Sequence, residues 1–157
     1  MIKALLFDFS RVLLFPKTEE PVESINGLHR KLSLNADYKF FDHFRLNEEL
    51  MEVLQKLQSQ YPLFIFTSET VQEAPELAES LQIFQKIYSG LRMNLNKKDV
   101  ASYKKIAADI GVIEKEIIFV DDSLVNIEAA REAGLEVIHY QNNSQLLNSL
   151  KILGLAP

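Results

Sequence analysis

The sequence contains no cysteine and no tryptophan, and it has only five glycines and five prolines among 157 residues. Without cysteine, the chain cannot form disulfides or thiolate metal sites. It also has no apolar stretch long enough to cross a bilayer. The apolar run at the N-terminus is too short for a signal peptide, and Asp8 interrupts it. We therefore expect a cytoplasmic protein with no membrane partner.

An excess of positive charge is missing as well. The formal net charge is -5, and lysine and arginine form no block. Proteins that bind the nucleic-acid backbone usually present a basic face, so nucleic acid is not an expected partner. With 47% hydrophobic and 25% charged residues, the composition is that of an ordinary globular protein. The length predicts a single domain, residues 1–157.

Short apolar runs predict the strands. They are Ala4–Phe7, Leu63–Phe66, Ile117–Val120 and the weaker Glu136–Tyr140, with Lys86–Tyr88 as a short edge strand. Runs that are continuously apolar, rather than alternating, indicate strands covered on both faces, as in parallel sheets.

Segments of helical period alternate with these runs. Asn47 and Ser123 are expected N-caps, and Gly111 and Gly134 are expected to end two of the helices. The apolar helix faces comprise Leu50, Val53, Leu54 and Leu57; Tyr103, Ile106, Ala107 and Ile110; Ile127, Ala130 and Ala133; and Leu146, Leu147, Leu150 and Leu153. The alternation predicts an α/β fold, a doubly wound, mainly parallel sheet with helices on both faces.

Residues 16–44 break this rhythm. The segment is polar and mixed, with a weak helical pattern around Ile25 and Leu28, and we interpret it as a small cap-like insertion after the first strand. Its aromatic residues Phe40, Phe41 and Phe44 are expected in the core. The three histidines are scattered along the chain and predict no metal triad: His29, His43 and His139.

Polar residues directly follow three of the predicted strands. Asp8 follows the first, Thr67–Ser68 the second and Asp121–Asp122 the third, while Lys97 and Lys98 precede a helix. In an open parallel sheet, ligands bind beyond the carboxyl ends of the strands, so these groups should meet at one edge. Carboxylates, hydroxyls and ammonium groups together suit a phosphate and a hard divalent cation.

Each residue has an ordinary explanation when it is taken alone. An aspartate after a strand often caps a turn, a threonine often caps a helix, and a lysine pair is usually solvated. It is the joint placement at successive strand ends that favours a functional site.

Four segments in this order resemble the motifs of the haloacid dehalogenase-like hydrolase superfamily. They are Leu-Leu-Phe-Asp-Phe-Ser around Asp8, Phe-Ile-Phe-Thr-Ser around Thr67, Lys-Lys-Asp-Val-Ala-Ser-Tyr around Lys97, and Phe-Val-Asp-Asp-Ser-Leu-Val-Asn around Asp122. The similarity continues through Ile127–Gly134. The resemblance therefore covers nearly the whole chain outside the insertion.

The resemblance implies a magnesium-dependent phosphatase acting on a phosphorylated substrate. Asp8 would be the nucleophile, and Mg²⁺ would be held by Asp8, Asp122 and the backbone carbonyl of Ser10. Thr67, Ser68 and the following amides would bind phosphoryl oxygens, and Lys97 would stabilise negative charge. Asp121 and Asn126 would support the metal shell.

Position 10 departs from the family pattern. Phosphatases of this family usually carry a second aspartate there as general acid and base, whereas this chain has Ser10, followed by Arg11 and Val12. A hydroxyl has no pKa near neutrality and cannot take over that role. Three outcomes stay open: a slow phosphatase, a hydrolase of another subclass, or a fold retained for phosphate binding or regulation.

The motifs also bear on two alternative classes of protein. A metal-independent dehalogenase of the same family would also use an aspartate nucleophile, but Asp122 with Asn126 resembles the metal-keeping version of the fourth motif. In a two-component receiver domain the acidic pair comes first along the chain, whereas here the pair Asp121–Asp122 comes last. This order rejects the receiver class. The short insertion further predicts an open site that either admits a large phosphorylated partner or is closed by a second subunit, as in a homodimer.

Overall fold

Seven strands, seven α-helices and four 3-10 helices make up the part of the chain that the structure, a computed structural model, describes: residues 1–155. The strands are β1 (Ala4–Phe7), β2 (Leu14–Pro16), β3 (Phe44–Leu46), β4 (Leu63–Thr67), β5 (Lys86–Ser89), β6 (Ile117–Asp121) and β7 (Glu136–His139). The α-helices are α1 (Ile25–Leu32), α2 (Phe40–His43), α3 (Glu48–Leu57), α4 (Gly90–Met93), α5 (Val100–Ile110), α6 (Leu124–Ala133) and α7 (Asn143–Ile152).

Five of the strands form one parallel sheet in the order β5-β4-β1-β6-β7. All five were predicted from apolar runs, and the doubly wound α/β architecture is confirmed. The three central strands are buried along their whole length, which explains why their sequences do not alternate. β1 lies in the middle of the sheet, between β4 and β6. Its carboxyl end is therefore flanked by theirs.

The two faces of the sheet carry separate apolar layers. On β1, Leu5 and Phe7 join α3 and α7 in one layer, while Ala4 and Leu6 join α5 and α6 in the other. This division follows from the period of two along a strand, which sends successive side chains to opposite faces. Helices therefore cover both faces of the sheet, as predicted.

Most of the expected helix ends are present. Asn47 accepts a hydrogen bond from the amide of Leu50, and Gly111 and Gly134 end their helices with φ of 84° and 101°. Ser123 lies at the N-cap of α6, but its side chain makes no capping hydrogen bond. The N-cap position expected for Ser123 is therefore confirmed, without a side-chain hydrogen bond. Its amide instead donates to Asp121 Oδ1 at 2.7 Å.

The segment between β1 and α3 begins and ends with a small antiparallel ribbon. β2 pairs with β3, matching Leu14 with Leu46 and Pro16 with Phe44, and α1 and α2 lie between them. Phe40 and Phe44 are buried as expected, but Phe41 is 41% exposed, so the core prediction was wrong for Phe41. Within residues 1–155, every helix is too short or too polar to cross a bilayer.

Candidate active site

Three carboxylates meet at the carboxyl edge of the sheet. Asp8 follows β1 directly, Asp121 ends β6, and Asp122 is the next residue. One oxygen from each of the three lies within 4.8 Å of the others, a spacing at which a single metal ion can be held. Asp8 and Asp121 are buried, and Asp122 is partly exposed. β1 and β6 are hydrogen-bonded neighbours, and this pairing brings residues 8 and 121 together.

Lys97 lies against these acids. Its buried ammonium group donates to Asp8 Oδ1 and, at 3.0 Å, to Asp121 Oδ2. The loop that carries Lys97 is held by Tyr103 of α5, whose hydroxyl donates to the carbonyls of Lys97 at 2.6 Å and Asn126 at 3.2 Å. Tyr103 is the core residue that the sequence predicts, and it also links the lysine loop to α6.

The electrostatics of the cluster indicate an excess of negative charge, because one ammonium group faces three carboxylates. Burial, reinforced by Asp121 and Asp122 and opposed by Lys97, raises the pKa of Asp8 to about 8. Burial and Asp121 likewise raise the pKa of Asp122. Burial alone would lower the pKa of Lys97, but Asp8 and Asp121 raise it above its ordinary value. A divalent cation held by these oxygens would balance the charge, so the residues present fit Mg²⁺.

Asp121 is held firmly in place. Besides the bonds from Lys97 and Ser123, its Oδ2 accepts a hydrogen bond from Asn126 Nδ2 at 3.1 Å. The next residue, Asp122, is fixed through its backbone, since His139 Nε2 lies 2.9 Å from its carbonyl oxygen. Sequence reasoning had assigned His139 no role at the site. The contact joins the ends of β6 and β7.

Ser10 lies in the turn that follows Asp8. Its hydroxyl oxygen is buried and has no hydrogen-bond partner within residues 1–155. Arg11 adopts a left-handed backbone with φ of 65°, and its guanidinium donates to the carbonyl of Val22 at 2.6 Å. The turn after the candidate nucleophile is therefore in direct contact with the insertion.

Thr67 and Ser68 lie at the end of β4. Thr67 is buried and Ser68 is exposed, and neither side chain hydrogen-bonds to the acidic cluster within residues 1–155. The carbonyl of Ser68 accepts from the amide of Leu91 at 2.9 Å, and that of Glu69 accepts from Ser89 Oγ at 2.9 Å. In the same part of the chain, the amides of Ser68 and Glu69 have no partner. They are free to bind an anion.

One contact at this edge was not predicted from the sequence. Asn26 of α1 accepts hydrogen bonds from the amides of Thr70 and Val71, at 3.2 and 2.9 Å. An asparagine near the start of a helix carries no signal of such a role. The partners are 44 and 45 residues away, and no local pattern indicates the pairing.

Fold and site together define a class of protein: a doubly wound α/β protein with an acidic cluster and a buried lysine at the carboxyl ends of its strands. The family profile described as haloacid dehalogenase-like hydrolase matches residues 12–140. The chain belongs to this family of hydrolases. The matched segment begins after Asp8, so the assignment of that residue depends on its position at the end of β1.

Curated relatives match parts of the chain. The enolase-phosphatase E1 of Aquifex aeolicus is 31% identical over 104 residues, which cover 59% of this chain and 44% of the relative. The enolase-phosphatase E1 of Gluconobacter oxydans is 49% identical over 41 residues, covering 26% of this chain and 18% of the relative. The aligned segments span less than half the length of these relatives.

Solved structures share the fold over most of the chain. A haloacid dehalogenase family enzyme from Bacteroides thetaiotaomicron, in complex with magnesium and inorganic phosphate, has a TM-score of 0.66 and 20% identity, covering 93% of this chain and 99% of its own. The 2-haloacid dehalogenase of Pseudomonas syringae has a TM-score of 0.65 and 17% identity, covering 89% and 86%. Both similarities concern the fold alone.

Proposed function

We propose that the protein hydrolyses phosphate monoesters with Mg²⁺, through an aspartyl-phosphate on Asp8. The observation that carries this proposal is the cluster of Asp8, Asp121 and Asp122 oxygens within 4.8 Å, in contact with the buried Lys97. The enolase-phosphatase relatives and the neighbour with magnesium and phosphate support it.

Mg²⁺ would be held by the carboxylates of Asp8 and Asp122 and by the backbone carbonyl of Ser10. When bound, it supplies charge neutralisation and alignment of the phosphoryl group. The carboxylate of Asp121 accepts three hydrogen bonds instead, from Lys97, Ser123 and Asn126. We assign Asp121 and Asn126 to support of the metal ligands.

The chain's own residues perform the transfer. A carboxylate oxygen of Asp8 forms a bond to phosphorus while the ester oxygen leaves and takes a proton from water. Lys97 stabilises negative charge on the phosphoryl group and on Asp8. The hydroxyl of Thr67 and the loop of Ser68 and Glu69, with its free amides, bind the phosphoryl oxygens. A water molecule then attacks phosphorus, which releases inorganic phosphate and restores the carboxylate.

The test is the variant Asp8→Asn, assayed with Mg²⁺ on a panel of phosphate esters that includes p-nitrophenyl phosphate. We expect loss of turnover with unchanged circular dichroism. The matched control is Asp42→Asn, an exposed acid in α2, which should leave activity unchanged. Undiminished hydrolysis by Asp8→Asn would overturn the proposal.

A metal-independent dehalogenase is the second candidate. Ser10, in place of an acid–base carboxylate, and the fold shared with a 2-haloacid dehalogenase favour it. The excess of negative charge around Asp8 argues against it. Halide release from 2-haloacids that survives exhaustive chelation would establish this candidate instead of the phosphatase.

A non-enzymatic domain that binds phosphate for regulation is the third candidate, and Ser10 favours it too. Saturable binding of Mg²⁺ together with no turnover of any phosphate ester in the panel would support this candidate against the first.

A further inference from the structure

The loop Ser68–Val71 is held on one side by the end of β5 and the start of α4. Ser89 Oγ donates a hydrogen bond to the carbonyl of Glu69, and the amide of Leu91 donates one to the carbonyl of Ser68. The backbone at residue 90 can approach the loop this closely because Gly90 has no side chain. A Cβ at Gly90 would lie 2.7 Å from the carbonyl oxygen of Leu95 and 3.1 Å from that of Ser68. These contacts engage the carbonyls of Ser68 and Glu69, while the amides of the same two residues have no partner among residues 1–155.

The insertion holds the other half of the loop. Oδ1 of Asn26 accepts from the amides of Thr70 and Val71 and so engages two donors at once. The neighbouring Ile25 is 2% exposed and belongs to the same apolar cluster as Val71, which anchors the start of α1 here. A second polar contact joins α1 to the loop, the ion pair of Arg30 with Glu69. Because it is largely exposed, it contributes little to holding the loop in place.

We propose that Asn26 is a positioning residue for phosphate recognition: it holds the loop Ser68–Val71 so that its free amides face the phosphoryl group. This proposal rests on the proposed function, because it takes those amides as the phosphate-binding donors. Asn26 engages the amides of Thr70 and Val71 without adding charge near an anion. Without it, these amides lose a fixed partner and the loop gains alternative conformations.

The kinetic test uses Asn26→Ala, with Arg30→Ala as the matched control from the same helix and interface. KM and kcat for p-nitrophenyl phosphate, and the inhibition constant of inorganic phosphate, are measured with saturating Mg²⁺. We expect Asn26→Ala to raise KM and the inhibition constant together, by about tenfold, with a smaller change in kcat. Arg30→Ala should change both constants by less than about threefold. Equal constants for the two variants would overturn the proposal.

Hydrogen exchange of a peptide spanning residues 68–73 gives a second, independent measurement. Asn26→Ala should speed the exchange of Thr70 and Val71, while Asn26→Asp, which keeps an acceptor oxygen, should restore protection. Unchanged exchange in Asn26→Ala would refute the positioning role. A wild-type protein that hydrolyses no phosphate ester would contradict the proposed function alone, since the exchange result would still decide whether Asn26 fixes this loop.

Discussion

At the scale of single residues, Ser10 leaves the proposed site without the carboxylate that would act as general acid and base. Its hydroxyl is buried and has no hydrogen-bond partner in the described part of the chain, two positions after the candidate nucleophile. The ionisable side chains that meet at the acidic cluster, among residues 1–155, are Asp8, Asp121, Asp122 and Lys97, and the proposed mechanism already uses all four. No spare carboxylate is left among them to protonate a leaving group or activate water.

This reasoning predicts a gain of function for Ser10→Asp. An added carboxylate would supply general acid–base catalysis, and we expect kcat for a phosphate ester to rise on the order of a hundred-fold. The measurement is steady-state hydrolysis with saturating Mg²⁺. Ser10→Ala is the control and should match the wild type, because the proposed metal ligand at this position is the backbone carbonyl. Equal rates for the aspartate and alanine variants would contradict the interpretation.

The carboxylates and lysine of the site could be placed from the sequence because each lies at or near the end of an apolar strand or the start of a helix. Asp8, Asp121 and Lys97 are examples: their positions along the chain indicate the sheet edge at which they meet. Asn26 and His139 could not be found this way. Their contacts depend on how the insertion and β7 pack, and a single sequence carries no local signal of that packing.

At the scale of elements, length decided what could be predicted. The parallel strands have four or five residues, and the three central ones are almost continuously apolar, whereas β2 and β3 have three residues each. A three-residue strand shows no usable period, and Pro16 argues against a strand by composition. The four-residue helix α2 is equally short. These elements exist because tertiary contacts stabilise them.

A buried polar network around Asn47 provides one such set of contacts. Its Nδ2 donates to the carbonyl of Val12 at 2.9 Å and to Asn143 Oδ1 at 2.8 Å. Its Oδ1 accepts from Asn143 Nδ2 at 2.8 Å and from the amide of Leu50. Asn47 thus joins the turn after Asp8 to the first turns of α3 and α7. The N-cap that the sequence predicts also links three parts of the fold.

We therefore expect Asn47→Ala to lower the free energy of unfolding by about 2–3 kcal/mol, because it leaves several buried groups without partners. The matched control is Asn142→Ala, which removes the exposed N-cap of α7 and should cost about 1 kcal/mol. Urea unfolding followed by circular dichroism measures both. Equal losses would show that Asn47 acts as an ordinary helix cap.

At the scale of the whole molecule, the insertion is fastened to the core at several points. The ribbon of β2 and β3 begins and ends it, Arg11 donates to the carbonyl of Val22, and Asn26 engages the loop after β4. These contacts oppose movement of the insertion as an independent lid. An open site that takes a large phosphorylated partner, or is closed by a second subunit, remains our prediction. Light scattering that shows a monomer, with strong activity on small phosphate esters, would count against it.

The charge distribution of the folded molecule yields a last prediction. The site concentrates three carboxylates around one ammonium group, so folding without a cation carries an electrostatic cost that Mg²⁺ would remove. At a hundred times its dissociation constant, bound Mg²⁺ would stabilise the fold by about 2.7 kcal/mol, which corresponds to a rise of roughly 5–10 °C in Tm for a domain of this size.

The variant Asp122→Asn tests this prediction. It should raise Tm in the absence of Mg²⁺ and lose most of the rise in Tm that added Mg²⁺ gives the wild type. Glu132→Gln removes an exposed acid of α6 and should keep the full gain. If Asp122→Asn gains as much as the wild type in differential scanning calorimetry, Asp122 does not bind the cation.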